Sequence, residues 1–413
     1  MDTYTAQVDA VGGSLGLSAL VGLIPLVVFF ICLVGLKRSA WLSGLIALAS
    51  ALLAAVLGFG MPAGLALLTA DAGLAQTGAA LLCGLGGGNF SSSMANISFF
   101  FPKEKKGLAT GLNAGIGNLG VSVVQFVVPL VISASVFGVL GGDPQTVTRD
   151  GAQHSLWLQN AGFIWVIPIA LASIAAWFGM NDIADARASF ADQAVIFKRK
   201  HNWLMCWLYV GTFGSFIGFS AGFAMLTKTL FPQVDPTAYA FLGPLVGSLT
   251  RPVGGWVSDK LGGARVTLFT FAAMIAAVLG VVAYLPGASG AGDFNGFLAM
   301  FIVLFALTGV GNGSTFRMIP AIFLRERIQA AKGKDAAAQK QALADAAKES
   351  AAVLGFSGAI GAYGGFFIPR SFGTSLEMTG SVQAALYCFI AFYATCMAIT
   401  WWYYGRRGAP VPC

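Results

Sequence analysis

The chain has 413 residues, of which 57% are hydrophobic and only 10% charged, and its formal net charge is +7. Soluble domains carry about 25% charged residues, so the composition excludes a soluble globular protein and leaves a polytopic membrane protein. The basic excess lies in short polar loops, a pattern that sets membrane topology rather than one that binds nucleic acid.

A bilayer core takes about 20 apolar residues per helix. Eleven segments qualify in chain order: 15–36, 41–62, 76–101, 107–138, 157–180, 202–230, 238–258, 266–286, 294–323, 350–371 and 381–404. Four of them, 76–101, 107–138, 202–230 and 294–323, are long enough to tilt or to extend beyond the bilayer. The N-terminus is acidic and the first apolar run can span, so no cleavable signal peptide is expected.

Basic loops give the expected orientation. Lys37 and Arg38 follow the first segment, and Lys103, Lys105 and Lys106 follow the third. Lys198, Arg199 and Lys200 precede the sixth, and Lys260 and Arg265 join the seventh and eighth. Arg325, Arg327 and a Lys-rich stretch to Lys348 follow the ninth, and Arg406 and Arg407 follow the eleventh. All fall on one side if the N-terminus is outside and the C-terminus is cytoplasmic. Residues 324–349 read as a surface helix on the inner face, with charge pairs four residues apart. The six cysteines (Cys32, Cys83, Cys206, Cys388, Cys396, Cys413) show no metal-ligand spacing and read as lipid- or core-facing thiols. His154 and His201 fall in loops. There is no nucleophile–base pair and no phosphate-binding loop in a suitable context, so no enzyme reading stands.

Two segments are rich in glycine. The fourth contains Gly111, Gly115, Gly117 and Gly120, and the tenth contains Gly355, Gly358, Gly361, Gly364 and Gly365. Small residues every three or four positions let helix backbones approach closely, and one such helix in each half suggests a transporter repeat. Asn113, Asn118, Ser122 and Gln125 in the fourth segment, with Asn89, Ser91, Ser92, Ser93 and Asn96 in the third, must bond across helices or face a cavity.

The spans hold almost no acid; Glu349 stands at the start of the tenth. Arg251 lies near the middle of the seventh, in a stretch (241–258) without a carboxylate. A guanidinium at that depth costs ~2.5–3.5 kcal/mol on insertion scales, and such residues face the bundle interior or a water-filled cavity. A planar guanidinium suits a small planar oxyanion, because its fork donates two parallel hydrogen bonds. Lys228 and Arg317 lie closer to helix ends and can snorkel. Tyr209, Phe213 and Phe316 are aromatic groups that could sandwich a flat anion or simply fill the core.

From about Gly78 the chain resembles the bacterial nitrate/nitrite porters of the major facilitator superfamily. The resemblance rests on GGGNFSSSMANISFFFPKEKKG (86–107), GLNAGIGNLGVS (111–122), AWFGMNDIA (176–184), GTFGSFIGFSAGFAMLTKTLFP (211–232) and GFSGAIGAYGGFFIP (355–369). It implies a major facilitator-type helical bundle in an inner (plasma) membrane, expected as a monomer, that moves nitrate and nitrite without a cofactor. It makes Arg251 one of two substrate-binding arginines, matches Tyr209 and Phe213 to aromatic positions of the binding site, and matches Asn118 to a polar signature position. The Gly-rich helices carrying Gly111, Gly115, Gly117, Gly361 and Gly364 match the two signature motifs. Asp259 and Arg265 fall in a loop motif that locks the inner gate.

The first 75 residues depart from that family and look like the start of a lactate permease. The family's second binding arginine lies in its second helix, whereas no arginine occurs here between Arg38 and Arg149. The expected organisation is therefore two permease-like helices (1–75), the remainder of an amino-terminal porter bundle (76–180), a cytoplasmic linker (181–201) and a carboxy-terminal porter bundle (202–407). Nitrate/nitrite transport around Arg251 is the leading function. A transport-inactive hybrid and a small-monocarboxylate transporter are the alternatives.

Overall fold

A computed structural model describes residues 11–32, 36, 40–59, 93–94, 101–102, 105–149, 152–179, 193–287 and 292–413. Most of the third expected segment, with Asn89, Ser91, Ser92 and Asn96, lies outside the described residues. So do Lys37, Arg38, Lys103 and linker positions 181–192. The chain separates into two compact units, Met1–Gly88 and Asn89–Cys413.

The first unit holds α1 (Leu15–Phe30) and α2 (Ala40–Leu53). The Ser14 hydroxyl caps α1 by accepting from the Leu17 N–H at 3.4 Å. A π turn, Ala54–Gly58, extends α2, and a methyl group at Gly58 would come within 2.8 Å of Val21.

The second unit begins with α3 (Lys106–Ile132), an antiparallel hairpin of β1 (Gln145–Arg149) and β2 (Ala152–Leu156), and α4 (Asn160–Gly179). Val147 pairs with His154, so His154 lies in a strand rather than a loop. There follow α5 (Lys200–Leu230), α6 (Leu242–Leu261), α7 (Gly263–Ala283), α8 (Phe294–Ala330), α9 (Ala336–Ala362), α10 (Gly364–Thr379) and α11 (Gln383–Thr400). Seven helical stretches among the described residues are long and apolar enough to cross a membrane. The fold is an all-α polytopic membrane bundle. α6 is not one of the seven, because its charged residues, prolines and glycines together leave it too weakly apolar. It packs instead between α3 and α8.

Two helix boundaries differ from the hydropathy reading. α8 starts at an Asp293 cap, whose carboxylate accepts from the Asn295 and Gly296 N–H groups, and runs 37 residues to Ala330. At 1.5 Å per residue that is about 55 Å, well beyond a bilayer core. The expected surface helix over 324–349 does not stand alone. Its first part belongs to α8, and from an Asp335 cap the rest is the lower half of α9. The reason is packing: Ala342, Ala346 and Glu349 lie on one buried face. The tenth expected span is then broken after Ala362, and α10 starts at Gly364.

Most of the buried core among the described residues sits in 202–404. Phe219 meets Phe301, Phe389 and Phe372 with centroids 5.7, 5.9 and 6.4 Å away, joining α5, α8, α11 and α10. At one end of the unit Glu349 accepts from Arg199 (2.8 Å) and from Arg327. Nearby, His201 Nδ1 lies 2.8 Å from the Tyr404 hydroxyl. The start of α5, the end of α8, the turn after α11 and the lower part of α9 thus meet, in the neighbourhood of three of the basic groups expected on one side.

Candidate functional site

Arg251 is fully buried on α6. Its Nη2 donates to the Tyr209 hydroxyl at 2.9 Å. Tyr209 is stacked between two rings: Phe316 of α8 at 4.4 Å and Phe213 of α5 at 5.0 Å, both within 18° of parallel. The guanidinium carbon lies 5.0 Å from the Phe316 centroid and 5.7 Å from that of Phe213, within cation–π range. Tyr209 immediately precedes, and Phe213 lies within, a π turn, Val210–Gly214, that interrupts α5. Such turns shift the phase of a helix and occur often at functional sites.

Glycines hold α6 at short range. A methyl group on Gly115 would lie 2.8 Å from the Ser248 carbonyl oxygen, and one on Gly111 would lie 2.9 Å from Pro252 Cα and 3.1 Å from the Arg251 carbonyl oxygen. On the opposite side Gly309 and Gly313 of α8 press against the backbones of Gly247, Arg251 and Gly255. The backbone of Arg251 is thus fixed between α3 and α8 by contacts that admit no side chain. Gly361 gives room to the aromatic pair, since its methyl group would meet Tyr209 and Phe213 at 2.9 and 3.0 Å, and Gly364 abuts Gly214 directly. Gly117 differs: nothing among the described residues lies within 4 Å of a methyl group there.

The polar residues of α3 divide in the same way. Asn113 donates to Ser93 (3.1 Å), the Ser122 hydroxyl to the Phe241 carbonyl (2.9 Å), and Gln125 to the Ser220 carbonyl (2.9 Å). These three tie α3 to other elements. Asn118 Nδ2 is buried with no acceptor among the described residues.

Asp259 and Arg265, the two residues singled out in the loop motif, have different surroundings. Asp259 pairs with Arg317 of α8 (Nε to Oδ1, 3.2 Å) and also accepts from the Leu108 N–H of α3 (3.1 Å). Arg265 is exposed, because Gly262, at φ +90°, turns the chain before α7 begins. Arg317 therefore anchors an acid and does not simply snorkel. No spacing in the sequence signals this pairing across 58 residues.

A cavity of about 680 Å³ opens beside Phe316 and Thr110 and runs past Arg317, Pro320, Leu324 and Arg325 to Cys413. Residues 406–413 fold back onto it: Arg325 donates to the Pro412 carbonyl (2.9 Å), and the Ala264 N–H donates to the Cys413 carbonyl (3.1 Å). Burial pushes the Cys413 thiol up to about 12, which keeps it protonated and unreactive at neutral pH. Together these features give a buried guanidinium against flat aromatic faces, held by a rigid backbone, with an adjoining cavity. That arrangement offers positive charge and N–H donors beside flat apolar faces.

No family model matches the chain. It is 55% identical to the nitrate/nitrite transporter NarU of Escherichia coli (strain K12) over 332 residues, which are 79% of this chain and 70% of that protein. The identity to NarU of Salmonella typhimurium (strain LT2) is 53% over 335 residues, 79% and 70% of the two chains. The probable nitrate/nitrite antiporter NarK2 of Thermus thermophilus is 40% identical over 339 residues, 81% and 71% of the two chains.

Proposed function

The chain belongs to the nitrate/nitrite porter family of the major facilitator superfamily, and from that premise we propose that it carries nitrate and nitrite through a bacterial inner membrane by alternating access around Arg251. It is a multi-pass transporter and not an enzyme. The observation that carries the mechanism is the fully buried Arg251 guanidinium set against the Phe213–Tyr209–Phe316 stack. A flat monoanion can lie against the rings while the fork donates to its oxygens. Asn118 adds a neutral donor from α3. The moving bodies are residues 76–180 and 202–407, joined by 181–201, in a monomer whose C-terminus is cytoplasmic. The Gly111 and Gly115 contacts join the two bodies and are the surface along which they shift, while Gly361 and Gly364 pack within the second body.

Flux of nitrate and nitrite into proteoliposomes tests this reading, with Arg251→Lys as the control. Lysine keeps the charge and loses the fork, so flux should fall at least tenfold. Undiminished flux in Arg251→Lys refutes the assigned role. Absent flux from folded wild-type protein favours the transport-inactive hybrid instead.

A further inference from the structure

Asn312 of α8 is 1% exposed, yet neither its Oδ1 nor its Nδ2 has a hydrogen-bond partner among the described residues. Ser248 of α6 is 2% exposed with an equally unpartnered Oγ. Buried polar atoms are nearly always satisfied, so two such side chains on facing helices require an explanation.

Helix phase says where Asn312 points. Successive residues of α8 turn by 100°. Gly311 and Thr315 face Thr212 of α5, the latter through a 3.3 Å hydroxyl contact. Gly309 and Gly313 face the backbone of α6 at Gly247 and Arg251. Asn312 lies between these two directions. It shares a stripe with Phe316, which stacks on Tyr209 beside Arg251, and with Phe305, which meets Phe216. Its amide is therefore directed into the wedge between α5 and α6 that holds the Arg251 guanidinium. Ser248 precedes Arg251 by one turn of α6, on the same side of that helix.

We propose that the Asn312 amide and the Ser248 hydroxyl are specificity-determining donors to the oxygens of the anion held at Arg251. This rests on the anion-transport reading and deepens it. Arg251 supplies the charge and the fork of donors on one side of the anion. The two neutral donors supply direction, which an oxyanion with protruding oxygens uses and a spherical halide cannot. The oxygens of the bound oxyanion give both groups the partners that the surrounding side chains do not.

The test is thermal unfolding of the purified full chain titrated with sodium nitrate or sodium chloride, for wild type, Asn312→Leu and Ser248→Ala. Leucine has the heavy-atom outline of asparagine and removes both unpaired polar atoms. Serine to alanine only deletes an atom, so it guards against overpacking by leucine. Wild type should be stabilised by nitrate at lower concentration than by chloride. In each variant the anion-free midpoint should stay level or rise, because an unsatisfied group has gone. The nitrate concentration for half-maximal stabilisation should rise about tenfold, with little change for chloride. Variants that keep the wild-type nitrate response, or that lose anion-free stability while keeping it, overturn the proposal alone. A wild type that nitrate does not stabilise overturns the transport reading beneath it.

Discussion

Replacing Gly313 with alanine tests the packing that fixes Arg251. The new Cβ would stand 2.5 Å from the Gly255 backbone nitrogen and also press on the Arg251 carbonyl oxygen. Real Cβ contacts are essentially never below 3.0 Å, so α6 and α8 must part by more than half an ångström, and no flexible side chain can yield instead. A gap of 0.5–1 Å forfeits a quarter to a half of a dispersion well, and overpacking of this kind costs about 1–3 kcal/mol. At about 2 kcal/mol, the unfolding midpoint falls by about 4–8 °C for a domain of 150–250 residues. Gly117→Ala is the matched control, on a glycine with open space around it. It should leave the midpoint level or raise it, since alanine is favoured over glycine within helices by about 0.5–1 kcal/mol. Intrinsic tryptophan fluorescence during a thermal ramp in detergent reads both, and nitrate flux should fall only in Gly313→Ala. A Gly313→Ala protein that melts with wild type, beside a Gly117→Ala protein that loses several degrees, would refute the argument.

Two further outcomes follow from single contacts. Tyr209→Phe keeps the stacked ring and removes the hydroxyl that accepts from Arg251; a hydrogen bond to a charged group is worth about 1.5–3 kcal/mol, so the nitrate KM in proteoliposomes should rise about tenfold, and an unchanged KM would show that the hydroxyl does not position the guanidinium. Glu349→Ala removes the shared acceptor of Arg199 and Arg327. Both arginines are about one-third exposed or less and can rehydrate in part, so the loss should be about 1–2 kcal/mol. A midpoint drop of a few degrees in detergent would agree with this, and an unchanged midpoint would not.

Much of the protein was legible in its sequence. Hydropathy alone gave the membrane class, because bilayer-length apolar runs leave few other readings. Arg251 stood out as the deep cation, and motif density pointed to the family. What the sequence could not decide was pairing. A run of glycines with spacings of two, three and four residues faces several directions, so only the packed helices separate Gly111 and Gly115, which touch α6, from Gly117, which touches nothing described. Asp259 stands six residues before Arg265 in the chain, yet it pairs with Arg317 on another helix, because Gly262 turns the chain between them. Polarity in α3 looked uniform, while the fold satisfies Asn113, Ser122 and Gln125 and leaves the Asn118 amide nitrogen unbonded. Asn312 carries no signal at all in a Gly-rich helix. Composition and periodicity determine which groups a helix offers and on which face, since both are set within one or two turns. Which of those groups meets a partner depends on helices distant in sequence, and that only the tertiary structure decides.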